Sequence, residues 1–252
     1  MELIAHYGRQ LMAINLTPVH PRHLNVNEIF GPTVQGEGPT AGQLCGFLRL
    51  AGCNLACVWC DTPYSWDWER YDKPEESHPM TVMDVANEVN RLPIRRLVIS
   101  GGEPMLQQPG LIELRPLLKT LSIEVETNGT RSPRAEMLQM VERFNVSPKL
   151  AHSGDTEEAR LPHDSIASFA HLALLGRATF KFVAATEVDL DEVAELVKRF
   201  EIPQRSIWIM PEGYTKAQHL KNLEAIADPV IDRGWNLTTR LHVLAFETIR
   251  RR

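Results

Sequence analysis

Hydrophobic positions along this chain switch repeatedly between a period of two and a helical period. Over residues 42–51, Leu44, Leu48 and Leu50 alternate with Cys45, Phe47 and Arg49. Side chains alternate across a strand, so this pattern predicts a strand with one apolar face. Thr81 then offers an N-cap for a helix carrying Val82, Val85, Val89 and Leu92 on one side. A strand over 96–100 follows, ending in Gly101-Gly102. The same alternation predicts helices over 110–121, 134–143, 165–175, 189–200 and 215–233. It predicts strands over 123–127, 144–147, 179–184, 206–210 and 237–244. Strands alternating with helices imply a parallel sheet with crossover connections. About six strands are too few for a closed eight-stranded barrel. The expected fold is therefore α/β, a partial, open parallel β/α barrel.

Residues 1–25 carry no clean period and hold Pro18, Pro21 and three histidines. They read as a loosely attached N-terminal extension, with one domain over 26–252. Residues 64–79 form an irregular, aromatic-rich link with no assigned role. The 252 residues are enough for one sizeable core, and 43% apolar with 23% charged residues fits an ordinary soluble globular protein. The net charge of −5 gives no electrostatic case for nucleic acid. The terminal Arg250-Arg251-Arg252 is expected to be a solvated tail. No apolar run reaches the ~18 residues a membrane span needs. The stretch 3–16 is broken by His6, Gly8, Arg9 and Gln10, which argues against a signal peptide. Four cysteines, three of them clustered, fit a reducing cytoplasm better than a disulfide framework.

Cys53, Cys57 and Cys60 follow the first strand in a C-x3-C-x2-C spacing, with Trp59 before the last. Three close thiolates suit a four-iron cluster with one iron open to a ligand. Two other readings are a structural zinc, which wants a fourth ligand such as Cys45, His78 or His152, and a plain electron-transfer cluster. Gly101-Gly102-Glu103-Pro104, Glu126-Thr127-Asn128-Gly129, Ser147-Pro148-Lys149 and Met210-Pro211-Glu212-Gly213 all fall at carboxyl ends of predicted strands. That is where parallel α/β folds gather ligands. Glycines there permit close backbone approach, and Glu103 is expected to organise its turn rather than perform chemistry. In the run 28–38, two glycines flank Glu37, and Gln35 offers a paired donor and acceptor suited to a pterin or purine edge. Arg49 faces away from the apolar side and needs an anion, either a ligand carboxylate or an internal glutamate. Thr62 either caps a turn or supplies one ligand of Mg²⁺.

The runs Thr-Val-Gln-Gly-Glu-Gly (33–38), Phe-Leu-Arg-Leu-Ala-Gly-Cys (47–53) and Cys-Val-Trp-Cys-Asp-Thr (57–62) resemble the 7-carboxy-7-deazaguanine synthase branch of the radical S-adenosylmethionine (SAM) family. Gly-Gly-Glu-Pro, Glu-Thr-Asn-Gly and Ser-Pro-Lys follow in the family's order, and the resemblance spans about residues 26–245. It implies a [4Fe-4S] cluster on Cys53, Cys57 and Cys60, with SAM along Trp59, Cys60, Asp61, Gly102, Ser147, Pro148 and Lys149. It implies Mg²⁺ on Thr62, and substrate against Val34, Gln35, Gly36, Arg49 and Ser100. The implied reaction turns 6-carboxy-5,6,7,8-tetrahydropterin into 7-carboxy-7-deazaguanine with loss of ammonia, through a 5′-deoxyadenosyl radical, on the queuosine route. A flavodoxin-like electron donor and a homodimer are implied as well. His242 is expected near the substrate, although nine further residues follow Val243. The rival readings are another radical SAM enzyme, such as a glycyl-radical activase, and a non-enzymatic metal-binding module.

Overall fold

The computed structural model describes residues 22–247 and 249–251. One nine-stranded sheet organises them, in the order β3-β1-β2-β4-β5-β6-β7-β8-β9. Its strands are β1 (His23–Val34), β2 (Leu44–Leu50), β3 (His78–Thr81), β4 (Arg96–Gly101), β5 (Ser122–Thr127), β6 (Arg143–Val146), β7 (Ala178–Ala184), β8 (Ile207–Pro211) and β9 (Asn236–Leu237). From β2 through β4 to β9 every pairing is parallel, while β1 and β3 extend the β2 edge antiparallel. This is the open β/α barrel expected from the alternation, with six full parallel strands and a two-residue seventh. The helices are α1 (Lys73–Glu76), α2 (Val82–Arg91), α3 (Gln108–Leu114), α4 (Ala135–Met140), α5 (Glu157–Arg160), α6 (His163–Leu174), α7 (Glu187–Arg199), α8 (Lys216–Asp232) and α9 (Leu241–Phe246).

Local signals account for most of these bounds. Thr81 accepts the Asp84 N–H and starts α2, and Thr215 accepts the Gln218 N–H and starts α8. Thr186 and Asp189 form a reciprocal capping box at α7. The outer sheet face packs on the helices through Leu48, Leu50, Leu97, Ile99, Ile123, Val125, Phe144, Phe180 and Phe182, all buried. That burial is the main driving force for closing the helix layer onto the sheet.

Two expectations are corrected and one is sharpened. β1 begins at His23, so residues 23–25 belong to the sheet; residues 1–21 of the expected extension lie outside the described residues. The run 28–38, expected as a substrate-recognition segment, is strand as far as Val34. The last strand is only Asn236–Leu237, and residues 241–246 are helical. There the Leu241 N–H donates to the Gly36 carbonyl at 2.8 Å, and this tertiary contact competes with sheet pairing. Apolar content at Leu241, Val243 and Leu244 cannot distinguish these outcomes.

A bulge decides one side-chain direction. Val26 pairs with Leu50 but Glu28 pairs with Arg49, so two residues of β1 advance against one of β2. Such an insertion reverses which face the following side chains meet. Val26 joins the outer core, whereas Glu28 meets Arg49 inside the barrel.

Candidate active site

The barrel interior is polar where the outer face is apolar. At its floor, the buried Glu124 carboxylate accepts from Thr40 Oγ1 (2.9 Å), Gln35 Nε2 (3.0 Å), Arg96 Nη1 (3.1 Å) and Asn145 Nδ2 (2.5 Å). Burial still holds its carboxyl above the ordinary range. The segment after β1 thus plugs the barrel floor, and a cavity of about 320 Å³ opens above it.

That cavity gathers nearly every residue singled out from sequence. Cys53, Cys57, Trp59, Cys60, Asp61, Thr62, Val34, Gln35, Gly36, Arg49, Ser100, Gly102, Ser147 and Lys149 all line it; Pro148 does not. Loops after β2, β4, β5, β6 and β8 converge because parallel strands point their carboxyl ends the same way. β7 adds Lys181 and Val183 from within the strand, and the segment after the antiparallel β1 enters from the opposite end.

The cysteine loop is braced from several sides. Gly102 N–H donates to the Leu50 carbonyl (3.0 Å) and Glu103 N–H to the Gly52 carbonyl (2.8 Å). Only glycine fits at 102, because a Cβ there would lie 2.2 Å from Gly52 O. Glu103, fully buried, accepts from Met105 N (2.9 Å), Thr127 Oγ1 (2.7 Å) and Asn128 N (2.7 Å). It therefore ties the Gly-Gly-Glu-Pro and Glu-Thr-Asn-Gly segments together, the organising role expected of it. Thr127 and Asn128 belong to the same scaffold, since Asn128 Nδ2 donates to Asn54 Oδ1 (3.2 Å) and lies 3.9 Å from Cys53 Sγ.

Each thiol has polar company. Leu55 N–H points at Cys53 Sγ (3.5 Å), Trp66 Nε1–H donates to Cys60 Sγ (3.2 Å), and Cys57 Sγ lies 3.4 Å from Asp155 Oδ2. Burial pushes the Cys53 thiol up to about 11 and Cys57 to about 12. Thiolates in such a setting need positive charge beside them, which a metal cluster supplies. Among the described residues, no three His, Cys, Asp or Glu side chains converge on a single-ion site. Cys45 is no fourth ligand: it is buried with Phe47 and Val98, and burial pushes its thiol to about 12. His78 is exposed on β3. His152 stacks on Trp59 (5.2 Å between ring centres) and sits 3.0 Å from Asp189. Three thiols with N–H groups aimed at two sulfurs, and none of Cys45, His78 and His152 placed as a fourth ligand, fit an iron–sulfur cluster with an open iron better than tetrahedral zinc. Lys149 Nζ lies over the Trp59 ring, 5.5 Å from its centre, and donates to Ser147 Oγ at 3.1 Å.

Two expectations change here. Gln35 spends its amide on Glu124 and Glu126 (3.0 and 3.1 Å) and its carbonyl oxygen on Glu37 N–H (3.2 Å). Its side chain fixes the loop instead of offering a free edge. Glu37 is not free either: Lys181 donates to one oxygen and Arg240 to the other (3.1 Å). Burial opposes ionisation of Glu37, but Lys181 and Arg240 outweigh it and hold its carboxyl well below the ordinary range. Arg240 also donates to Asp61 and to the Gly213 carbonyl (2.8 Å). Asp61 keeps 43% of its side chain open, toward the cavity it lines. Burial would raise its carboxyl, and Arg240 overrides this to lower it. Arg49 donates through Nε to Glu28 Oε1 at 2.8 Å, so the internal glutamate is present. Thr62 Oγ1 caps no turn and faces Cys60 Sγ at 3.8 Å.

Several cavity residues carry no local signal. Lys181 and Arg240 sit far apart in sequence and meet only through the fold, on Glu37. His242 also lines the cavity, packed so closely on Gly36 that a Cβ there would touch its ring at 2.0 Å. Burial holds its imidazole below the ordinary value. Tyr64 and Trp66 come from the link with no assigned role; only its aromatic richness hinted at them. Arg250 and Arg251 line the cavity while keeping 41% and 64% of their side chains exposed, so the tail expected to be solvated is so only in part, and Arg252 lies outside the described residues.

Residues 48–160 match the Radical SAM superfamily model. A 7-carboxy-7-deazaguanine synthase of Pyrobaculum aerophilum is 34% identical over 230 residues, covering 90% of this chain and 96% of that protein. The Hyperthermus butylicus enzyme of the same name is 37% identical, over 88% of this chain and 92% of its own. The crystal structure of QueE from Escherichia coli superposes with a TM-score of 0.63 at 26% identity, over 87% of this chain and 95% of that one. The match runs through the cysteine loop, the braced glycine turn and the polar barrel alike, and the chain belongs to the 7-carboxy-7-deazaguanine synthase family of radical SAM enzymes.

Proposed function

We propose that this protein converts 6-carboxy-5,6,7,8-tetrahydropterin to 7-carboxy-7-deazaguanine with release of ammonia. The observation that carries the reading is one cavity in which three cysteines face a carboxylate-binding arginine and a ring of buried acids. When bound, the cluster and SAM supply a carbon radical able to take a hydrogen atom from substrate.

The chain's own residues do the rest. Cys53, Cys57 and Cys60 hold the cluster, and the N–H groups of Leu55 and Trp66 support its sulfur charge. Trp59, Asp61, Gly102, Ser147 and Lys149 offer SAM an aromatic face, backbone carbonyls, a hydroxyl and a cation. Arg49, tethered at Nε by Glu28, keeps its outer nitrogens for a substrate carboxylate. Ser100 neighbours Arg49 in register on β4. The Glu126 carboxylate and the backbone of Val34 and Gly36 offer acceptors to ring N–H groups. Thr62 offers Mg²⁺ one hydroxyl, leaving the other positions to water and substrate. Aromatic rings of Phe30, Phe47, Tyr64 and Trp66 limit water around the reacting carbon. A flavodoxin-like donor, a homodimer and a cytoplasmic setting form part of the same proposal, supported by family membership. No described helix is long and apolar enough to cross a membrane.

The test is anaerobic. Protein reconstituted with iron and sulfide receives SAM, dithionite, Mg²⁺ and the carboxylated pterin, and products are identified by mass spectrometry. The expected outcome is 7-carboxy-7-deazaguanine with little net SAM consumption. Accumulation of 5′-deoxyadenosine without that product would leave the radical chemistry and remove the substrate.

A further inference from the structure

The C-terminal arginines have specific seats. Arg250 donates two N–H groups to Glu76, both at 2.9 Å, and its guanidinium lies 3.8 Å from the Tyr64 ring centre. Glu76 is itself held by Asn27 Nδ2 at 2.9 Å. Arg251 donates through Nε to Glu28 Oε2 at 3.3 Å, while Arg49 Nε takes the opposite oxygen at 2.8 Å. The Glu28 side chain is only 1% exposed, so one buried carboxylate carries a guanidinium on each oxygen. Among the described residues, neither Arg49 nor Arg251 makes another hydrogen bond through its guanidinium. Both line the cavity. Both are tied to the same anchor through Nε, which leaves the outer nitrogens of each for a further anion, Arg251 from a side chain that keeps 64% of its surface exposed.

The cavity is also charged unevenly. Among the lining residues, Arg49, Arg250 and Arg251 stand with two carboxylates, Glu28 and Glu247, and Glu76, outside the lining, also holds Arg250. Lys149, Lys181 and Arg240 stand with four acidic side chains, Glu37, Asp61, Glu126 and Glu212. A ligand with a carboxylate at one end and ring N–H donors at the other matches this field in a single orientation.

We propose that Arg251, seated beside Arg250, is a specificity-determining residue. It supplies the second guanidinium, next to Arg49, for the substrate carboxylate. This rests on the pterin reading above.

The experiment uses reconstituted holoenzyme with SAM bound. Equilibrium binding is measured for the carboxylated tetrahydropterin and for the same ring without the carboxylate, in wild type, R251Q and R251K. R251Q should weaken the carboxylated ligand by about tenfold, the scale of one charge-assisted hydrogen bond. The uncarboxylated ring and SAM should bind as in wild type, and R251K should recover part of the loss. Equal weakening of both rings, parallel loss of SAM binding, or no change at all would overturn the assignment. Wild type that binds neither ring would overturn the underlying substrate reading. Wild type that favours the carboxylated ring while R251Q favours it equally would overturn the arginine role alone.

Discussion

Replacing Gly102 with alanine probes how tightly the cluster loop is built. The added Cβ would sit 2.2 Å from Gly52 O, 2.6 Å from Gly52 C and 3.0 Å from Cys53 Cβ. Two of these neighbours are backbone, so no side-chain rotation relieves the overlap. Relief requires the turn after β4 to part from the Gly52-Cys53 backbone by about 1 Å, given ordinary carbon–oxygen contact distances. That separation breaks the hydrogen bonds Gly102 N–Leu50 O and Glu103 N–Gly52 O, of 3.0 and 2.8 Å. Each is worth about 0.5–1.5 kcal/mol net, and overpacking adds about 1–3 kcal/mol. The expected loss is about 2–6 kcal/mol, a large share of an ordinary domain's stability. Denaturant unfolding of G102A should show a lower midpoint with an unchanged slope. Iron content and visible absorption after reconstitution should fall, because Cys53 is carried along with the turn. Gly42 provides a control: a Cβ there meets nothing within 4 Å, so G42A should load its cluster normally despite its φ of +84. Should G102A keep wild-type stability and full iron loading, the account of this brace would be refuted.

Further outcomes follow from single contacts. Trp66→Phe removes the N–H donor to Cys60 Sγ at 3.2 Å; loss of a hydrogen bond to a ligating sulfur should shift the cluster potential negative in a redox titration, with iron loading retained. Thr62→Ala should abolish the Mg²⁺ response of turnover while the cluster spectrum stays intact; an unchanged Mg²⁺ response would remove that assignment. His152 is half-buried against Trp59, and although burial lowers its value, Asp189 and Glu212 raise it above the ordinary 6.5. Its stabilising contribution should be complete below pH 6.5 and fade as pH climbs through the raised value. H152Q should flatten that part of the stability–pH curve, and an identical slope in both proteins would count against the His152–Asp189 pair.

Much of this protein is written in short-range patterns. Alternating apolar positions in 44–50 and the short apolar runs in 96–101 and 178–184 specify strands, and Thr81, Thr186 and Thr215 specify helix starts, because caps and pleats act over two to four residues. The C-x3-C-x2-C run specifies thiolate chemistry because its ligands lie within one loop. Glycine at 102 is legible as a turn residue, and the structure adds why nothing larger fits.

What only the tertiary structure decided are the partners of charges and the fate of the ends. Glu37 meets Arg240 across 203 residues, Asp61 meets Arg240 across 179, and Glu28 meets Arg251 across 223. No periodicity encodes such pairs; strand order and one bulge at residue 27 bring them together. Gln35 and Glu37 read as free recognition groups from sequence, yet burial forces each to find internal partners. The last predicted strand became a helix because the backbone of Gly36 accepts Leu241, a contact that local propensity cannot anticipate. Local sequence determines which elements and which cluster chemistry this chain can have. The assembled barrel determines which charges remain free to meet a ligand, because desolvation makes every buried ion depend on its neighbours.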